Sequence, residues 1–339
     1  MLLESVLACG YSMRLAQIRI VLFLVAALAW IAETSQLPSK GPELRWYKGN
    51  LHSHTINSDG DSAPDAVARW YKERRYSFLA LTDHNYFTDP QGLGSILGAK
   101  ERFLLITGEE VTSKYDDAPI HVNAFRLRET IEPFFGEGIL ATLQGNVDSI
   151  RAAGAVPSLN HPQFRWAIDA ATLAQVRNLG LFEVYNGSPD TNNEWGLEEI
   201  WDNALTAGQK LYGIAVDDAH EFKQFGPNRS NPGDGWVEVR APELSQEAIL
   251  EALGRGEFYA STGVKLDAVH RSSGRLEIRV AQQSDQQYRT VFVGRAGRVL
   301  DRVTGLETSY RLRPGDGYVR ATITDSSGGM AWVQPVFQE

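Results

Sequence analysis

A chain of 339 residues, 43% hydrophobic and 22% charged, has the composition of ordinary globular material, long enough for one large domain or a large and a small one. Its formal net charge of -9 repels polyanions, and no run of Lys and Arg interleaved with aromatics offsets this locally, which argues against stable nucleic-acid binding. The only cysteine, Cys9, stands near the start, so the rest of the chain offers neither disulfides nor thiolate ligands, and a metal would have to be held by imidazole and carboxylate.

The chain opens with Arg14 and Arg19, an apolar run from Ile20 to Ala32 and the polar stretch ETSQLPSKGPE. The run is shorter than the roughly 18 apolar residues that span a bilayer, and the small residues Ala27 and Ala29 suit a cleavage region. Residues 1–35 therefore read as a leader with a secretory signal, which sends the mature protein to an extracytoplasmic compartment, periplasmic or secreted. Retention as a membrane anchor is the lesser alternative, with membrane contact only through an uncleaved leader. Translation from Met13 would keep the same signal, since MLLESVLACGYS adds nothing to it, and VLACG around Cys9 resembles a lipoprotein box only loosely.

From about Tyr47 to Asp218, short β-like runs alternate with amphipathic segments, the pattern of βα units on a parallel sheet. Strands are predicted over 50–54, 78–84, 103–110, 121–125, 155–161, 181–186 and 211–218, and helices over 63–75, 145–153, 169–176 and 194–207. Seven strands suggest a closed or nearly closed barrel. After His220 the Gly-, Pro- and Asn-rich stretch EFKQFGPNRSNPGDGW reads as a lid or binding loop, followed by the helix-like APELSQEAILEALGRG. From about Val264 alternating strands separated by Gly, Ser and Asp turns take over, so residues 263–339 read as a small β-sandwich module for packing or recognition.

The chemistry lies in the histidines. In LHSHTINSDG, His52 and His54 are two apart, so in extended chain both side chains project to one face, with Asp59 just beyond. Six of the seven histidines fall in the short polar motifs HSH, TDHN, HVN, NHPQ and DDAH; the seventh, His270, lies in the β-rich tail. His54, Asp83, His84, Glu110, His161, Asn186 and Asp218 all fall at or near C-terminal strand ends, the face of an α/β barrel where sites assemble. His121 is the exception, because it opens its run. Any one of these histidines is more readily structural than a ligand, but burying so many ionisable groups in one pocket without metal would be costly. A metal site is the expectation, and mixed nitrogen and oxygen ligation suits Mn, Zn or Fe.

LHSHTINSDG, LTDHN, TGEEVT followed by HVN, NHP and DDAH, in this order, resemble the motifs of the PHP (polymerase and histidinol phosphatase) metallohydrolases. GWVEVRAPEL, EAILEALGRGEFYASTG and the β-rich tail resemble the secreted carbaryl-hydrolase-like branch of that superfamily, and the likeness covers nearly everything after Trp46. The resemblance implies an α/β fold, with a distorted (β/α)7 barrel over 44–262 followed by the small C-terminal β-sandwich, and two or three divalent ions. Carried over by motif, one ion would take His52, His54, a bridging Glu and Asp218. A second would share that Glu with His121 and His161, and a third would use Asp59, His84 and His220. The family's Gly-x-Glu pattern selects Glu110 over Glu109, and period-two alternation lets only one of these neighbours face the site. Asp217 stands where Ser is commoner in the family.

Clustered divalent ions would turn a bridging water into hydroxide near neutral pH and stabilise charge on attacking and leaving oxygens. His84 or His220 would protonate the leaving group if the third metal position is empty. Glu183, Asn186 and Asp83 are candidates to orient the imidazoles, and Arg165, Lys223 and Arg229 to offer a cation to a phosphate. The expectation is an exported metal-dependent hydrolase of a small-molecule phosphoester, with hydrolysis of a carboxylic ester or carbamate on the same site as the alternative. A non-catalytic metal-dependent binding protein is the further alternative, against which the complete ligand set argues, and a DNA-processing exonuclease conflicts with the leader and the charge. No feature specifies an oligomeric state.

Overall fold

The structure, a computed structural model, describes residues 43–96, 103–191 and 197–338, so the expected leader lies outside the described residues. The elements up to position 216 are β1 (Arg45–Asn50), α1 (Pro64–Glu73), β2 (Phe78–Ala80), α2 (Gln91–Ile96), β3 (Leu104–Ile106), β4 (Gly108–Tyr115), β5 (Ala118–Phe125), α3 (Ile139–Ala152), β6 (Val156–Leu159), α4 (Ala170–Leu173), β7 (Leu181–Asn186), α5 (Leu197–Thr206) and β8 (Tyr212–Val216). Then come β9 (Trp236–Ala241), α6 (Gln246–Gly254), β10 (Phe258–Ser261), β11 (Leu266–Ser272), β12 (Arg275–Val280), β13 (Tyr288–Gly294), β14 (Arg298–Thr304), β15 (Glu307–Arg311), β16 (Tyr318–Asp325) and β17 (Met330–Phe337).

Local sequence accounts for the main elements. Pro64 and Asp65 open α1, where a fixed φ and an acidic first turn suit a helix start, and Val67, Ala68 and Tyr71 form its buried stripe. In α6 the Ser245 hydroxyl accepts the Ala248 N–H at 3.2 Å, and Ile249, Leu250 and Leu253 join Val237 and Val239 of β9 in one apolar cluster. All five residues of β8 are buried, as befits a strand covered on both faces.

The strands form three sheets: β4 to β8 in sequence order; β3, β2, β1, β9, β10, β17, β16, β13 and β14 across a nine-stranded sheet; and β11, β12 and β15. The protein is α/β, but the ladder of its first eight strands is not closed into a (β/α)7 barrel. Two local features mark where the ladder departs from a barrel of parallel strands. A tight turn at Asp116, with φ 50°, joins β4 to β5, so β5 runs antiparallel to both β4 and β6. The chain also changes sheets at Thr107, whose N–H donates to the Gln246 side-chain oxygen of α6 at 2.9 Å and is thereby withdrawn from strand pairing.

What joins the two sheets at the ends of β1, β2 and β8 is a pair of isolated parallel bridges, Ser53 with Ala219 and His84 with Glu110. The first consists of His54 N–H to the Ala219 carbonyl at 2.9 Å and Asp218 N–H to the His52 carbonyl at 3.1 Å. The second consists of Asn85 N–H to the Glu110 carbonyl at 2.9 Å and Glu110 N–H to the Asp83 carbonyl at 3.2 Å. His52 and His54, predicted inside a strand, therefore lie past the end of β1 in chain held by the first bridge. Gly60 closes the next loop by donating to the Thr55 carbonyl at 2.9 Å, and a Cβ there would meet the His54 carbonyl oxygen at 2.7 Å.

Toward the C-terminus, Leu266, Ile278 and Tyr310 of the three-stranded sheet share a core with Phe292, Ile323 and Val333 of the large sheet, a two-sheet sandwich. The pairing of β10 with β17 makes these last strands an extension of the sheet that contains β1. Buried Arg320 of β16 reaches α5, with Nη2 2.7 Å from Asp202 Oδ2, Nε 2.7 Å from Asp202 Oδ1 and Nη1 2.6 Å from Glu198 Oε2. Replacing Arg320 by Ala would strand the Asp202 carboxylate without its counter-charge; a loss of about 3–5 kcal/mol is expected, read as a lowered midpoint in chemical denaturation.

Candidate metal centre

Nine side chains from six places in the chain converge where the strands end: His52, His54, Asp59, His84, Glu110, His121, His161, Asp218 and His220. His52 and His54 come from the extension of β1, Asp59 from the loop closed by Gly60, and Glu110 from β4. His121 fits because β5 runs backwards: its N-terminal half, not its C-terminal end, lies at this side, with His121 paired to Thr112 of β4. Asp218 follows β8 in left-handed backbone, φ 51°, a conformation that Asp tolerates better than most residues.

Nε2 of His52 and Nε2 of His54 are 3.1 Å apart. Both face Asp218 Oδ1, at 3.2 and 3.1 Å, and Glu110 Oε2, at 3.4 Å each. Glu110 Oε1 lies 3.0 Å from His121 Nδ1 and 3.2 Å from His161 Nε2, which is 4.0 Å from Asp218 Oδ2. Asp59 faces His84 Nε2 at 3.4 Å, His220 Nε2 at 3.3 Å and His54 Nδ1 at 3.5 Å. Four overlapping sets have all their ligand atoms within 4.8 Å: His54, Asp59, His84 and His220; His52, His54 and Glu110; His52, His161 and Asp218; and His84, Glu110 and His121.

These residues fit a divalent cation on a direct observation. Glu110 Oε2 is fully buried without an aligned hydrogen bond, and three imidazoles crowd it, His84 Nδ1 at 2.8 Å and the Nε2 atoms of His52 and His54 at 3.4 Å. Three imidazole nitrogens turned toward one buried carboxylate oxygen is the arrangement a cation between them would satisfy. The donor set, imidazole plus carboxylate, is the one mixed-ligand divalent sites use.

The charges hold one another in place. Burial opposes ionisation of Glu110, but His84, His52 and His121 outweigh it and keep the carboxyl well below its ordinary range. Burial likewise opposes charge on His52, and the carboxylates of Asp218, Glu183 and Glu110 reverse that and raise it. His84 is pushed up to about 10 against its burial by Glu110 and Asp59. His54, buried and stacked on His220 with ring centroids 4.0 Å apart, goes the other way, down to about 4. Burial is the largest cause of that drop, and the charge on His220 adds to it.

The surrounding residues fix these side chains. Glu183 accepts from His52 Nδ1 at 2.6 Å and from the His161 N–H at 2.7 Å, and Asn186 bridges Glu183 and Asp218 at 2.8 and 3.1 Å. Asp83 touches no imidazole; it accepts the Thr55 N–H at 2.7 Å and the Ser58 and Thr88 hydroxyls, and so shapes the loop carrying Asp59. Glu109 faces away, accepting the Ile131 N–H at 2.6 Å, and burial pushes its carboxyl up to about 7. Asp217 accepts the Tyr71 hydroxyl and the N–H groups of Asp234 and Gly235, each at 2.8 Å, anchoring the far end of the loop after His220. Two contributors escaped the sequence reading: Asn160, which donates to Glu110 Oε1 at 2.8 Å, and Thr112, whose hydroxyl is 2.6 Å from His84 Nδ1. The only available signal for Asn160 was its place beside His161 in NHPQ.

The centre opens into a cavity of about 480 Å³ whose wall includes Phe164, Ser188, Asp190, Glu221 and Ser230. No Lys or Arg is among the described residues that line it. Arg229 is held in the loop by Glu221 and Gln224, Lys223 donates to the Asp61 carbonyl, and Arg165 lines the adjoining hollow.

No protein-family model matches the sequence, and no curated protein matches it. Among solved structures, a two-domain protein from Bacteroides vulgatus ATCC 8482, described as containing a predicted PHP-like metal-dependent phosphoesterase, superimposes with a TM-score of 0.51 at 18% identity, covering 86% of this chain and 96% of that one. A protein from Bifidobacterium adolescentis ATCC 15703, provisionally a metal-dependent phosphoesterase, gives 0.40 at 16% identity over 56% of this chain and 91% of its own. An amidohydrolase from Chromobacterium violaceum gives 0.39 at 18% identity over 54% and 93%. The first establishes a PHP-like fold, in keeping with the motifs, and does not single out the carbaryl-hydrolase-like branch.

Two outcomes are expected of the centre. Glu183→Gln should weaken divalent metal binding by about 10–100-fold in calorimetric titration. Because His52, His84, His161 and His220 are raised, they carry protons near neutrality that a metal must displace. Metal affinity should therefore rise with pH from neutrality up to about pH 10, where His84 loses its proton, with net proton release on binding.

Proposed function

We propose that this protein is an exported metal-dependent hydrolase whose first substrate class is phosphoesters. The observation that carries the reading is the convergence of six imidazoles and three carboxylates around a buried Glu110 oxygen that has no aligned hydrogen bond. His52, His54, Glu110 and Asp218 would hold one ion, Glu110 with His121 and His161 a second, and Asp59, His84 and His220 a third. The donor types suit Mn, Zn or Fe. Bound there, divalent ions would supply an acidified water and positive charge where a displacement at an ester centre builds negative charge.

The chain's own residues do the rest. Glu183 takes the Nδ1 side of His52 and so presents its Nε2 to the centre. Asn160 and Asn186 keep the Glu110 and Asp218 carboxylates turned inward. His84 and His220, with side chains 25% and 22% exposed on the cavity wall, are the imidazoles able to return a proton to a leaving oxygen where they are not ligands. Phe164 gives one side of the cavity an aromatic wall. Export rests on the sequence of the leader, a charged n-region followed by a short apolar run.

Phosphoesters come first because a dense cation site suits both attacking and leaving oxygens, and because the Bacteroides protein of the same fold is described as a predicted phosphoesterase. One feature favours a second reading, hydrolysis of a neutral carboxylic ester or carbamate: the cavity is lined by Asp190 and Glu221 and by no cation among the described residues. Protein reconstituted with Mn and assayed on p-nitrophenyl phosphate, bis(p-nitrophenyl) phosphate, p-nitrophenyl acetate and an aryl carbamate separates the two. Turnover of a phosphate is expected; turnover of the acetate or carbamate alone moves the assignment to the second reading, and none at all ends it. His54→Ala should lose bound metal and turnover together, and turnover that outlasts the metal would refute metal-dependent chemistry.

A further inference from the structure

The cavity at the metal centre has a neighbour. A hollow of about 400 Å³ adjoins it, with His121 and Phe164 shared between the two walls. The β4–β5 hairpin supplies Lys114 and Asp117 to its wall; Phe135 and Arg165 complete the part that matters here.

The two hollows differ in charge. Asp59, Glu110, Asp190, Asp218 and Glu221 line the first with no Lys or Arg among the described residues, whereas Lys114 and Arg165 face a single carboxylate, Asp117, in the second. Arg165 makes no ion pair or hydrogen bond with any described residue, and its guanidinium lies over the Phe164 ring at 5.4 Å from the centroid. Lys114 has no side-chain partner among the described residues either. Arg165 and Trp166 are consecutive non-glycine residues in left-handed backbone, φ 51° and 58°, a costly conformation that carries Arg165 onto this wall and leaves Trp166 66% exposed. An anionic group other than the one at the metals would be repelled from the first hollow and attracted to the second, where a free guanidinium can take a carboxylate or phosphate in bidentate fashion.

We propose that the second hollow is a subsite for a non-reacting anionic group, so that the preferred substrates are esters with the scissile bond at the metal centre and a second anion at the far end of an apolar linker packed on Phe164 and Phe135. The proposal rests on the hydrolase reading above and narrows its substrate class. Arg165 thereby acts on the distal part of the substrate rather than on the reacting phosphate.

The test compares 4-(2-carboxyethyl)phenyl phosphate with its neutral amide isostere, 4-(2-carbamoylethyl)phenyl phosphate, on Mn-loaded protein. The wild type should favour the carboxylate ester by about tenfold or more in kcat/KM, mainly through KM, and the ratio should fall to about one in the Lys114→Ala/Arg165→Ala double variant. Both side chains are exposed, and an unchanged thermal midpoint confirms that the variant is folded. Calorimetric titration with the two non-hydrolysable phosphonate analogues reads the same preference without turnover. If neither ester is hydrolysed but the carboxylate preference is present in the wild type and lost in the variant, the subsite stands and the hydrolase reading fails. If the wild type shows no preference, or the variant keeps it, the subsite is overturned.

Discussion

One buried carboxylate organises the protein's working end. Glu110 brings a charge into a fully enclosed position, which would be prohibitive in isolation. It stays ionised because the imidazoles of His52, His84, His121 and His161 crowd around it, and those imidazoles in turn depend on Asp218, Asp59 and Glu183. The balance among them is incomplete, since one Glu110 oxygen is left without an aligned hydrogen bond. A cation would complete it, and metal loading would then be coupled to the stability of this end of the fold.

The way the sheets meet follows from that cluster. A closed ladder would have to carry its hydrogen bonds through the positions where the ligands sit. Instead the regular strands stop at Asn50, Ala80 and Val216, and single bridges at Ser53–Ala219 and His84–Glu110 tie the ends together. The backbone between strand end and bridge is free to take special conformations, of which Asp218 in left-handed geometry is the clearest case. Side chains that must point inward from neighbouring positions gain a freedom that strict pleating denies them.

Much of this was legible in the sequence, for reasons that can be named. The two-residue spacing of His52 and His54 survives because extended chain keeps its alternation even beyond the last ladder pair. The same alternation sends Glu110 inward and Glu109 outward, and it makes β16 readable from Tyr318 to Asp325. The reversal of β5 was hidden because its turn, Tyr115-Asp116-Asp117-Ala118, has no glycine to announce a hairpin. Without that reversal His121 looked misplaced. The pairing of Arg229 with Glu221, eight positions before it, comes from loop folding that no periodicity encodes. The insertion of β9 between β1 and β10 is likewise a long-range pairing with no local signature.

The place of β17 has a consequence for how the chain is made. It fills the gap between β10 and β16, so the edge of β10 stays uncovered until Met330 to Phe337 are in place. A nascent or shortened chain would present that row of unpaired amides and carbonyls to any passing strand, an invitation to aggregate. Completion of the large sheet thus waits on a strand that follows both of its neighbours in the chain.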